Sequence, residues 1–144
     1  MKLKRGDIKM KINEQVLSRK QMAHLRELGI DTSDASLCWR WSNEGGGWVL
    51  GFMNPLLQEI SNPPHREGPF PAYTIGDLIE KLPKSIDLGF GEYDLELSIK
   101  GEYVEVQYES DYDDYTPFFC ANLSLIESLY RILCWLAENH KELL

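Results

Sequence analysis

The chain has 144 residues, 43% of them apolar and 26% charged, and carries a net charge of −8. That length suits one well-buried core and is short for two. With no uncharged apolar run of about 18 residues and no basic-then-apolar leader, it reads as a soluble, cytoplasmic protein with no membrane partner.

Residues 1–11 hold five basic groups (Lys2, Lys4, Arg5, Lys9, Lys11) against Asp7, a net of +4, which leaves about −12 for the rest. A body so acidic repels phosphates, so direct nucleic-acid binding is not expected of it. The basic segment reads as a disordered, solubilising tail, and Met10 offers a second start within it. Residues 12–144 then form a single α+β domain.

A helix is predicted over residues 18–28. Ser18 caps it, Met22, Leu25 and Leu28 recur on one side, and Gly29 takes the left-handed conformation that ends it. Leu37 to Trp41 alternates with Leu37, Trp39 and Trp41 on one face. Asn43 to Gly47 turns the chain into Trp48 to Met53, and the two runs make a first hairpin. The second run is apolar on both faces, which predicts a strand central in its sheet or covered on both sides. Gly45-Gly46-Gly47 is a turn rather than a phosphate loop, having no Lys-Ser/Thr and helix behind it.

Residues 54–72 contain five of the seven prolines and cannot sustain a long helix or an interior strand. Thr74 and Asp77 then form a capping-box variant for a helix over 74–82 with the stripe Ile75, Leu78, Ile79 and Leu82, stopped by Pro83. Tyr93 to Ile99 and Glu102 to Glu109 alternate on either side of Lys100-Gly101. A two-residue turn there predicts a second hairpin with Glu96 directly opposite Glu105. Its apolar face would pair Leu97 with Val104, Leu95 with Val106 and Tyr93 with Tyr108.

The last helix, over 124–142, has Ser124 and Glu127 as a capping box and a broad arc of Leu125, Ile126, Leu129, Ile132, Leu133, Leu136 and Ala137. Trp135 falls on the opposite flank with Glu127, Arg131 and Glu138 and needs a second surface. The nearby Pro117-Phe118-Phe119 segment supplies one, and a homodimer contact is the alternative. Together these elements predict an antiparallel sheet of about four strands, made of two hairpins and packed against two or three helices.

The stretch from Tyr73-Thr-Ile-Gly-Asp-Leu-Ile-Glu-Lys-Leu-Pro83 through the second hairpin to Ser124 and Leu133-Cys-Trp-Leu136 resembles small uncharacterised proteins encoded by bacterial phages and mobile elements. The resemblance covers about half of the chain. It implies a dispensable accessory protein and carries over no functional residue, since the matching positions form core.

No motif commits the chain to a reaction. Cys38, Cys120 and Cys134 lie far apart, without a CxxC pair or a His at ligand spacing, so neither structural zinc nor a disulfide framework is expected. No His is placed by sequence to activate a thiol. His24, His65 and His140 are dispersed, and no catalytic triad, resident metal or cofactor is indicated.

The outstanding feature is acidic: Asp94, Glu96, Glu105 and Glu109 on one face of the second hairpin, continued by a loop of Asp111, Tyr112, Asp113, Asp114 and Tyr115. Like charges facing across a ladder destabilise it, so such a face must see water or a cationic partner. The Asp111–Asp114 run lacks the glycine turn and distal Glu of a calcium-binding EF-hand. The tryptophans Trp39, Trp41 and Trp48 are expected in the core, with only Arg40 supplying positive charge beside them. The reading that follows is a noncatalytic interaction module docking on a basic protein. A small hydrolase using Asp77, Glu92 or Glu96 and a self-assembling protein built on Trp135 are the alternatives.

Overall fold

The computed structural model describes residues 12–52 and 70–144. The expected basic tail and most of the proline-rich segment lie outside them. The elements are α1 (Arg19–Glu27), β1 (Leu37–Ser42), β2 (Gly47–Phe52), β3 (Phe70–Ala72), α2 (Ile75–Lys81), β4 (Ser85–Asp87), β5 (Glu92–Lys100), β6 (Tyr103–Ser110), β7 (Asp113–Asn122) and α3 (Leu125–Asn139). The class is α+β, as expected, with two antiparallel sheets ordered β2-β1-β3 and β4-β5-β6-β7. The two predicted hairpins therefore stand in different sheets.

The helix ends follow the local chemistry. Ser18 accepts from the Gln21 amide while the Gln21 side chain accepts from the Ser18 amide, a complete capping box, and Gly29 beyond the helix has φ 87°. Thr74 and Asp77 form the same reciprocal pair on α2. At α3 only half of the expected box exists. Ser124 Oγ accepts from the Glu127 amide, but the Glu127 carboxylate is taken up by Gln21 at 3.0 Å and Arg131 at 3.1 Å. The Ser124 amide donates to Asn122 instead. The helix ends at Asn139, short of the expected 142, and a 3₁₀ turn follows over Lys141–Leu143.

The apolar face of α3 packs on the inner face of the four-stranded sheet. Leu129, Ile132, Leu133 and Leu136 meet Val106, Tyr108, Tyr93 and Ile86 in one core, to which α1 adds Met22 and Leu25 and α2 adds Leu78. Removing such surface from water is worth about 25 cal/mol per Å², the main stabilising term of a domain this size. Tyr108 satisfies its buried hydroxyl by donating to the Pro83 carbonyl at 2.7 Å.

In the smaller sheet the central strand is β1, not the strand after the first hairpin turn. β2 lies at an edge, with Phe52 80% and Val49 48% exposed. The tryptophans are half-buried rather than members of the main core. Trp39 Nε1 donates to the Leu17 carbonyl at 3.0 Å. Trp48 meets both Trp41 and Phe70 edge to face.

Candidate interaction face

The β5–β6 hairpin is closed by Gly101 and Glu102, so that Lys100 faces Tyr103. Gly101 has φ 60° and no described non-glycine residue, Glu102 included, has positive φ, the pattern of a type II′ turn with Gly first. The expected Lys100-Gly101 turn is thereby displaced by one residue, and every partner shifts by two. Glu96 faces Gln107 and Glu105 faces Ser98; the direct acidic pair is Asp94 with Glu109. Because side chains alternate with period two, the shift leaves each residue on its predicted face.

The outer face is built in rows. Asp87 lies opposite Glu92, and Ser85, Asp94 and Glu109 share the next row. Glu96, Gln107 and Phe119 follow, then Ser98, Glu105 and Ala121, then Lys100 and Tyr103. Six carboxylates thus occupy this face against the one ammonium of Lys100. Glu92 accepts from Ser85 Oγ at 2.9 Å and Glu109 from Gln107 Nε2 at 2.9 Å. Among the described residues, the ion pairs are Lys81 with Asp34, Arg131 with Glu127 and His140 with Glu142, and none touches this face. Phe119 and Tyr103 are 53% and 41% exposed, so the acidic rows are interleaved with apolar surface.

The expected acidic loop is mostly strand. Only Asp111 and Tyr112 form the turn, while Asp113, Asp114 and Tyr115 begin β7. Tyr112 is 99% exposed. Asp111, Tyr112 and Asp113 line a hollow of about 470 Å³ with Phe90, Glu92, Asp94 and Ser110. Asp113 is held below the usual carboxylate range by hydrogen bonds from the Tyr115 amide at 3.0 Å and the Tyr93 hydroxyl at 2.7 Å. Burial and that same bond push the Tyr93 hydroxyl up to about 12. A carboxyl so held is an acceptor, the opposite of what a general acid needs. Among the described residues no group of three His, Cys, Asp or Glu side chains is placed to hold a metal ion.

Asp77, a guess for the hydrolase reading, is occupied structurally. Its carboxylate accepts from the Thr74 and Ser36 amides, each at 3.0 Å, and from the Ser36 hydroxyl, tying the β1 approach to the start of α2. Trp135 is half-buried and rests on Phe118, Tyr108 and His140, with ring centroids 5.4, 6.4 and 5.0 Å away. The Pro117–Phe119 segment therefore does supply the surface its position on α3 required.

Two arrangements were invisible in the sequence. Arg19 lies 3.7 Å from the Trp48 ring centroid and 5.5 Å from that of Phe70, with Arg26 6.0 Å from Phe70, so Arg40 is not the only cation beside the aromatics. His24 Nδ1 sits 2.6 Å from the Tyr130 hydroxyl and 3.8 Å from Cys134 Sγ, so a His does stand beside a thiol. Burial pushes that thiol up to about 11, so it is no ready nucleophile. Both contacts join residues from different elements, a juxtaposition that spacing along one chain does not encode.

Comparisons with protein-family models, curated proteins and solved structures found no match. No helix among the described residues is long and apolar enough to cross a membrane.

Proposed function

We propose that the chain is a noncatalytic interaction module whose acidic sheet face docks on a basic protein. The observation that carries this reading is the direct opposition of Asp94 and Glu109 on a face of six carboxylates and one lysine. Opposed like charges cost stability when the protein is alone and are relieved when Lys or Arg side chains arrive between them. Exposed Phe119 and Tyr103 on the same face, and Tyr112 and Tyr115 at its end, give the alkyl stems and guanidinium groups of such a partner rings to lie on. In a cytoplasmic setting, and as an accessory protein of a phage or mobile element, the partner would be a nuclease, a DNA-binding factor or a host-defence component. The acidic face would cover its phosphate-binding surface.

The test is capture from bacterial and phage-infected lysates with wild type and with the Asp94→Lys, Glu109→Lys double variant. A basic protein retained at low salt, released at high salt and lost from the folded double variant supports the reading. Equal retention by both proteins removes this face from it.

A further inference from the structure

The four-stranded sheet has two edges, and they are treated differently. The β7 edge carries Pro117, an irregular register at Tyr108/Ser110 and the charges of Asp113 and Asp114, all devices that discourage strand addition. The β5 edge is covered by β4 only from Glu92 to Asp94, and the last bond to it runs from the Leu95 amide to the Lys84 carbonyl at 2.9 Å. From Glu96 to Lys100 no described residue pairs with that edge. The stretch contains no proline or bulge and leaves Leu97 38% and Ile99 83% exposed.

The direction of the free groups follows from the ladder. Lys100 faces Tyr103 across the two-residue turn, so Lys100, Ser98 and Glu96 bond to β6. Leu95 points its amide to the other side, and by alternation Leu97 and Ile99 point theirs there too.

We propose that this edge pairs with the same edge of a second copy, antiparallel about a two-fold axis at Ser98. In that register Leu97 of each copy faces Ile99 of the other and exchanges both backbone bonds with it. On the outer face Glu96 of each copy stands opposite Lys100 of the other. The sequence of the free stretch, Glu96-Leu-Ser-Ile-Lys100, is complementary to its own reverse in both charge and apolarity. A register displaced by two residues loses the Glu96–Lys100 opposition, and a displacement by one sets the apolar pair on the wrong face. The contact is isologous and closes after two copies, joining two four-stranded sheets into one of eight. The backbone pairing uses the edge of the sheet, and Glu96 and Lys100 meet at the rim of the acidic face, which leaves Asp94 and Glu109 open to what docks there. Its small area implies a dimer that forms at high protein concentration.

Sedimentation of the full chain from about micromolar to about millimolar concentration tests it. A reversible monomer–dimer equilibrium is expected, weakened about tenfold by Lys100→Glu and restored when Glu96→Lys is added. Ile99→Pro removes only an outward-facing amide, which an edge strand tolerates, and should leave a monomer. Hydrogen exchange on the wild-type protein provides a readout that needs no variant: the Leu97 and Ile99 amides gain protection as concentration rises. A wild type that stays monomeric with those amides unprotected at every concentration overturns the proposal. So does a dimer that Lys100→Glu and Ile99→Pro leave unchanged.

Discussion

Asp94 and Glu109 stand directly opposite each other on the outer face of the large sheet, with Glu92 and Glu96 on either side of Asp94 along β5. A directly opposed pair of like charges costs roughly 0.2–1 kcal/mol, small beside a domain's total of roughly 5–15 kcal/mol. Asp94→Lys converts the repulsion into an attraction and should raise stability by up to about 1 kcal/mol. The same change should weaken retention of a basic partner. Urea midpoints together with capture at low salt check both halves, and a variant that is neither more stable nor a poorer binder contradicts the assignment.

What the sequence disclosed and what it hid divide along the range of the interaction. Caps and stripes are local: Ser18, Thr74 and Ser124 sit where the helices begin, and Met22, Leu25, Leu78 and Leu129 are buried as their spacing requires. The faces of β5 and β6 were also legible, because period-two alternation survives a register error of two. The register itself was not, since it hangs on which residue pair around Gly101 forms the turn. β7 was concealed by Pro117 and its acidic start, which argue against an interior strand and are tolerated because β7 is an edge. β3 was hidden the same way by Pro71. The pairing of Arg19 with Trp48 and the contact of His24 with Cys134 depend on packing between separate elements, for which no single-chain pattern exists.

Asp77 gives stability a pH dependence of known sign. Burial raises its pKa, but hydrogen bonds from Ser36 and Thr74 to the carboxylate outweigh it and hold the carboxyl below its ordinary value. Its contribution is therefore fully present above the unfolded value of about 3.9 and lost as pH falls through the lower folded value. Asp77→Asn should be less stable than wild type at neutral pH, with a difference that shrinks as pH falls below about 4. Denaturation midpoints of the two proteins across that range measure the convergence. A constant difference would assign the loss to packing rather than to charge.

Cys134 is 9% exposed, and its thiol is pushed up to about 11, first by burial and further by Glu138 and Glu127, against a lowering bond from Tyr130. At pH 8 only about a thousandth of it is thiolate. His24 at 3.8 Å therefore shares a packed contact with it rather than activating it. Iodoacetamide should leave Cys134 unmodified in the native protein and alkylate it rapidly in denaturant, as mass spectrometry of the labelled protein will read. Fast native labelling, suppressed by His24→Ala, would instead make this an activated thiol.

Trp135 joins the end of α3 to β6, β7 and the chain terminus through its contacts with Tyr108, Phe118 and His140. Truncating a fully buried Trp costs roughly 3–5 kcal/mol, and for this half-buried ring about 2–3 kcal/mol is expected of Trp135→Ala. Because those partners belong to its own chain, the loss should appear as a lower denaturation midpoint and a weaker near-ultraviolet dichroism signal. The association of the wild-type protein, carried by the β5 edge, should be retained. A variant with undiminished stability that no longer self-associates would move the ring from an internal contact to one between copies.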